Sequence, residues 1–337
     1  MNPRERFLHA LLGEPKDHTP ATCVTQVGIV EVMDAIDAKW PETHFDSKKM
    51  AALGASLWNI AKIEVVRVPF DLTVMADALG AKVDPGKVNV QPMVKGHPFT
   101  SADQMKIPDD FLKRGRIPVV LEAVKILKEK YGSTLPVLAG FEAPFTLAGH
   151  LVGTETLLKW AIKSRDQVKE ITKKTTEAAI MYAEALLKAG ADVLSPCEPT
   201  ASTNLISPKD FRELVKPYLT DLAKSIDGYF ILHICGDATL IVKDMAETGM
   251  QGLSIEDKVD IRSAKQMAAG KSRICGNIST ANTLIWGTPE QVKEEAKKAL
   301  DAGVDLLCPS CGLAPITPLK NVKAIVTAVN EYYGLPG

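Results

Sequence analysis

Ala189-Gly190-Ala191-Asp192-Val193-Leu194 and Ala302-Gly303-Val304-Asp305-Leu306-Leu307 are two copies of one phrase. In each, an amphipathic run ends at glycine, the residue that most readily takes the left-handed backbone of a helix C-cap. The chain then passes through aspartate into an apolar run. Apolar residues without polar alternation mark a strand buried on both faces, as in a parallel sheet. Thr248-Gly249-Met250 to Leu253 is a looser third copy. The phrase marks helix-to-strand junctions and concerns fold, not chemistry.

Outward from these junctions, short apolar runs alternate with long amphipathic stretches along the chain. The strands expected are Ala21 to Thr25, Glu64 to Pro69, Pro136 to Phe141, Asp192 to Pro196, Tyr229 to Ile234, Gly252 to Glu256, Arg273 to Asn277 and Asp305 to Pro309. Each is followed by loop residues and then a helical pattern, and eight such units predict an α/β fold of the closed (β/α)8 TIM-barrel type. The 337 residues exceed the ~150 of a typical domain, but α/β barrels carry such lengths as one unit. No linker or low-complexity segment divides the chain, so one barrel domain over residues 1–337 is expected. Pro3 to Leu12, with apolar Phe7, Leu8, Leu11 and Leu12, reads as an N-terminal helical extension under the barrel. Residues 80–115, rich in Gly, Pro and Lys, read as an excursion or lid after the second strand.

Composition narrows the function. Hydrophobic residues make 46% and charged residues 24%, enough to build a core and unlike a disordered chain. Forty basic side chains against 41 acidic ones leave no field to hold a polyanion, so nucleic acid is excluded as a partner. Nowhere do ~18 consecutive apolar residues occur, so no membrane insertion is expected. His9, Gly13 and Glu14 break the first apolar run too soon for a signal peptide, and a cytoplasmic location follows. In a reducing compartment the six cysteines are expected to be buried, metal-bound or reactive, not disulfide-paired.

Barrels of this kind carry their chemistry where strands end at the carboxyl face. Those ends are rich in polar and sulfur groups: Thr25-Gln26, Arg67 to Asp71, Glu142, Cys197-Glu198, His233 to Gly236, Glu256-Asp257, Asn277 and Cys308 to Gly312. His233 and Cys235 are two apart, and residues i and i+2 of an extended strand project to one side. Closure of a barrel can bring Cys311, after the last strand, across the mouth to the same point. Zinc suits one His and two Cys with an open fourth position, the arrangement of catalytic zinc. A core histidine beside a small buried thiol satisfies the same spacing, so at this point both readings stand. Cys308-x-x-Cys311 could also be a redox pair, but it lacks the thioredoxin setting. Cys23, Cys197 and Cys275 have no partner at ligand spacing.

These residues also carry a resemblance. His233-Ile-Cys-Gly, Pro309-Ser-Cys-Gly-Leu-Ala-Pro and Thr317-Pro-Leu-Lys-Asn-Val resemble the methylcobamide:coenzyme M methyltransferases of the uroporphyrinogen decarboxylase superfamily. So do Thr25-Gln-Val-Gly-Ile-Val, Trp40-Pro-Glu, Val66-Arg-Val-Pro-Phe, Gly115-Arg-Ile-Pro-Val-Val-Leu-Glu-Ala and Leu253-Ser-Ile-Glu-Asp-Lys, and the likeness runs nearly end to end. It implies a uroporphyrinogen decarboxylase-like barrel with one zinc ion per chain, held by His233, Cys235 and Cys311. Glu256 matches a glutamate that fills the fourth zinc position until substrate arrives, and Glu198 is its competitor. The activity implied is methyl transfer from a methylated corrinoid protein to the thiol of coenzyme M, in methanogenesis from methylated compounds. Exchanging the Glu256 carboxylate for a substrate thiolate would leave the net charge of the site unchanged. The sulfonate of coenzyme M needs a cation or N–H donors; Arg67 is the candidate, against the simpler reading that it pairs with Asp71. Asn277 and Glu198, at strand ends, are further candidates for substrate binding. A porphyrinogen decarboxylase or a different thiol acceptor are the alternatives. The decarboxylases resemble one another in an Arg-rich first loop, whereas Thr25 to Val30 contains no basic residue.

Overall fold

The structure is a computed structural model, described here for residues 1–336. Seven parallel strands form one curled sheet of the TIM type in the order β1 (Val66–Val68), β4 (Val137–Glu142), β5 (Val193–Cys197), β6 (Tyr229–His233), β7 (Gly252–Ser254), β8 (Arg273–Ile278) and β9 (Leu306–Pro309). Two short strands, β2 (Lys82–Asp84) and β3 (Met93–Gly96), pair antiparallel as a separate hairpin within the expected 80–115 excursion.

The repeated phrase builds the same junction wherever it occurs. Gly190 and Gly303 take left-handed backbone, with φ of 114° and 80°. The aspartate that follows holds the neighbouring strand in register. The Asp192 N–H donates to Val137 O (2.8 Å) and its carboxylate accepts from Val137 N–H (3.0 Å). Asp305 does the same to Ile274, at 3.0 and 2.9 Å. In the looser copy, Gln251 replaces aspartate. Its side-chain oxygen accepts from Phe230 N–H (2.8 Å) and its carbonyl accepts from Arg273 N–H (2.7 Å). A carboxylate or amide at this position pins the first or second residue of the adjacent strand, where the ladder would otherwise leave a buried N–H unpaired.

The strand expected at Ala21 to Thr25 is corrected: seven strands form, not eight. Only Ala21 pairs, as an isolated bridge to Leu307. On one side Thr22 N–H donates to Leu307 O and Leu307 N–H donates to Pro20 O; on the other Glu64 N–H donates to Ala21 O. Beyond Ala21 the next donor along β9 would be residue 309, which is proline and has no N–H, and side chains take a later acceptor. Val24 O accepts from Arg67 Nε (3.2 Å) and from Ser195 Oγ (2.8 Å), so it is not free for a neighbouring strand.

A helix spans Pro3–Leu12, capped by Asn2 and closed by Gly13 at φ 75°. It buries Phe7, Ala10 and Leu11, and Arg4 fixes it to the amino ends of the strands through Asp192 (2.8 Å) and Thr134 O (2.8 Å). The carboxyl ends are thereby left as the accessible ends of the sheet. Among the described residues no helix is long and apolar enough to cross a membrane.

Candidate metal centre

His233 ends β6, and Cys235 lies just beyond it, so the pair straddles a strand end instead of sharing a continuous strand. They converge all the same. His233 Nε2 is 3.1 Å from Cys235 Sγ and 3.5 Å from Cys311 Sγ, and the two sulfurs are 3.5 Å apart. Cys311 arrives in the loop after β9. That loop is tied to the first segment of the chain: Leu313 N–H donates to Gln26 O (3.0 Å), and the Gln26 side-chain amide donates to Leu313 O. Among the described residues this is the one cluster of three ligating groups close enough to share a metal ion, with all three donor atoms within 4.8 Å of one another.

The donor set fits a metal such as zinc. On its other ring nitrogen, Nδ1, His233 contacts Ser254 Oγ at 3.0 Å, which fixes the ring with Nε2 towards the sulfurs. Ser254 stands opposite His233 in the β6–β7 register. Without an ion, the Cys235 thiol donating to Cys311 sulfur holds Cys311 well below the usual thiol range, despite burial; the same bond and burial push Cys235 up.

A cavity of about 150 Å³ opens beside these atoms, lined by Arg67, Asp71, Gln91 and Cys197 among others. Arg67 is 3% exposed and has no ion pair among the described residues. Its Nε donates to Val24 O (3.2 Å) and its Nη1 to Pro69 O (2.5 Å), while burial pulls its pKa down. Asp71, expected as its partner under the simpler reading, is instead gripped by Arg116 at 2.8 and 3.1 Å. Burial would raise the Asp71 pKa, but Arg116 wins and holds it at about 2. Arg67 therefore lines the cavity without a salt bridge, its charge favoured at longer range by Asp71, which lines the same space.

Three sequence candidates lie apart from the cluster. The Glu198 carboxylate accepts from the N–H groups of Phe145 and Thr146, at the start of the helix Pro144–Val152, and is fully buried there. Burial raises its pKa to about 7. It caps a helix and is not placed to ligate. Asn277 donates its amide to Glu256 O (3.1 Å) and Val259 O (2.8 Å), bracing the loop after β7 instead of entering the cavity. The Glu256 carboxylate is outside the three-ligand group, although its charge acts on Cys235. Cys308 is buried on β9 and also outside the group. Sequence reasoning passed over Ser254 and set Cys197 aside as a thiol with no partner at ligand spacing. Both stand opposite His233 in the strand register, and a register alignment of the expected strands could have found them.

Residues 2–332 match the family model described as Uroporphyrinogen decarboxylase (URO-D). The chain is 43% identical over 332 residues to the methylcobamide:CoM methyltransferase MtaA of Methanosarcina barkeri, covering 98% of both chains. The chain belongs to this family, on its methylcobamide:CoM methyltransferase branch. It is a methyltransferase. A methylcobamide:CoM methyltransferase MtbA of Methanosarcina acetivorans is 37% identical, again over 98% of both chains. A solved methyltransferase from Methanosarcina mazei superposes with a TM-score of 0.97 over 99% of each chain, at 44% identity.

Proposed function

We propose that the protein is a cytoplasmic, zinc-dependent methyltransferase that moves a methyl group from a methylated corrinoid protein to the thiol of coenzyme M, in methanogenesis from methylated compounds. The observation that carries this reading is the convergence of His233 Nε2, Cys235 Sγ and Cys311 Sγ beside a small cavity with a buried cation. The reading also includes closure of the sheet into a barrel through the Ala21 segment.

His233, Cys235 and Cys311 would hold the zinc, and Ser254 keeps the imidazole turned towards it. When bound, zinc supplies the acidity that keeps a substrate thiol as thiolate at neutral pH. Arg67 orients the substrate by pairing with its sulfonate, so the sulfur end points to the mouth. The transfer needs little else from the chain. A sulfur lone pair forms the new S–CH3 bond, the Co–C bond breaks with both electrons staying on cobalt, and Co(III) becomes Co(I). The thiol proton goes to solvent on binding. The corrinoid carries the difficult chemistry; this chain aligns sulfur and methyl carbon. Glu256 is proposed as the exchangeable ligand that leaves when the thiol arrives.

A tetrapyrrole decarboxylase must hold several substrate carboxylates, whereas this cavity offers Arg67 alone as an unpaired cation. The test is an assay of the zinc-loaded protein with a methylated corrinoid and a panel of thiols. Methylation of coenzyme M well above the other thiols is expected. Turnover of none of them, or of a porphyrinogen instead, would refute the reading.

A further inference from the structure

The hairpin β2–β3 stands outside the main sheet, yet one of its residues lines the metal-site cavity. Gln91, just before β3, faces the space bounded by Arg67, Cys197, His233, Cys235 and Cys311. Among the described residues its side-chain amide makes no hydrogen bond. Gln91 is half-buried, so its amide is open to a ligand or to water in that space. Its position is set locally. Gly86 takes φ 78°, and a Cβ there would meet Val90 O at 2.1 Å, so the turn closes only with glycine. Lys87 and Val90 exchange backbone hydrogen bonds at 2.9 and 3.0 Å across that turn. Pro92 is buried while most of its hairpin neighbours are exposed, which anchors the chain next to Gln91.

The hairpin is also positively charged. Lys82, Lys87 and Lys95 are exposed and form no ion pairs among the described residues, and Asp84 is the one acidic residue from 82 to 96. Its aspartate accepts from Gly86 N–H (3.0 Å) and so belongs to the turn. The positive charge of this hairpin, with the buried Arg67 in the cavity lining, favours an anionic ligand over a cationic one.

We propose that Gln91 is a specificity-determining residue, and that its amide N–H groups, with Arg67 in the same cavity lining, bind the distal anionic group of the thiol substrate. Resting on the thiol-methylating reading above, the proposal assigns the hairpin the role of a flap that senses the end of the substrate remote from sulfur. Recognition of the anion by these two side chains distinguishes an anionic thiol from a neutral one of equal length.

The experiment uses the zinc-loaded full chain with 2-mercaptoethanesulfonate and 2-mercaptoethanol as acceptors, and ethanesulfonate as a thiol-free probe in calorimetry. In Gln91→Ala, KM for the sulfonate thiol and Kd for ethanesulfonate should each rise roughly tenfold, the loss of a hydrogen bond to a charged group. The kcat and the mercaptoethanol KM should stay within about twofold of wild type. Gln91→Glu, which faces the anion with a like charge, should lose more on the sulfonate alone. Equal losses with both thiols, or no change in ethanesulfonate binding, would overturn the proposal. Calorimetry needs no methyl transfer, so failure of the methyltransferase reading would show as absent turnover with ethanesulfonate binding and its loss in Gln91→Ala intact.

Discussion

Cys235 and Cys308 are both thiols near strand ends, but they stand in different surroundings. Cys235 lies within 3.5 Å of a second sulfur and a ring nitrogen, while Cys308 is fully buried on β9, where desolvation pushes its thiol well above the usual range. Cys235→Ser should weaken zinc binding by at least roughly 100-fold, since it removes a ligand and not merely a supporting contact. Cys308→Ser should keep one tightly held zinc per chain. Metal analysis after dialysis against a weak chelator distinguishes them, and stoichiometric zinc in Cys235→Ser would be inconsistent with the ligand assignment. The His233 and Cys235 pair was legible in sequence because ligand spacing is local. The fate of Glu198 and Asn277 was not, because a carboxylate or amide at a strand end looks the same whether it meets a ligand or, as these do, the N–H groups of Phe145 and Thr146 and the carbonyls of Glu256 and Val259.

At the scale of elements, Glu142 ends β4 and joins it to the helix Val74–Ala78: its Oε1 accepts from Met75 N–H (3.1 Å) and Ala76 N–H (3.2 Å). Its Oε2 is buried without a partner. Burial raises its pKa to about 7 from 4.5. Between those values the native state binds more protons than the unfolded chain, so this group's contribution to stability is full below about pH 4.5 and is lost as pH rises towards 7. His44 and His150, lowered by burial to about 4, act in the opposite sense from about pH 4 to 6.5. The two effects partly cancel in the wild type. Glu142→Gln keeps the Oε1 acceptor and removes the titration. The stability of the variant relative to wild type should therefore improve by on the order of 2 kcal/mol between pH 5 and pH 8. Urea unfolding at the two pH values measures it, and a pH-independent difference would contradict the assignment. The strands themselves were legible wherever the Gly-Asp phrase preceded them. Ala21 to Thr25 misled because its apolar run matches a strand, while Arg67 and Ser195, distant in sequence, take the Val24 carbonyl.

Over the whole molecule, buried apolar side chains run as one cluster from Phe7 to Val329. A core of that extent stabilises the fold without help from an ion, unlike a metal-dependent mini-domain. Removing zinc with a strong chelator should abolish methyl transfer and leave the far-UV circular dichroism spectrum unchanged. Global unfolding would mean that the metal is structural, and the proposed mechanism would fail with it. The sequence carried the class of fold because helix and strand periods are written along the chain. The substrate cavity was harder to see, since it joins Arg67, Gln91, His233 and Cys311 from four distant segments.

In the proposed mechanism the thiol acceptor binds directly to a zinc held by His233, Cys235 and Cys311. X-ray absorption at the zinc edge, on the full chain with and without saturating coenzyme M, addresses it without reference to turnover. The resting enzyme should show two sulfur ligands with nitrogen and oxygen, and Glu256→Gln should alter the oxygen contribution while zinc is retained. Saturating thiol should raise the sulfur count to three. A count that stays at two would contradict direct thiol ligation.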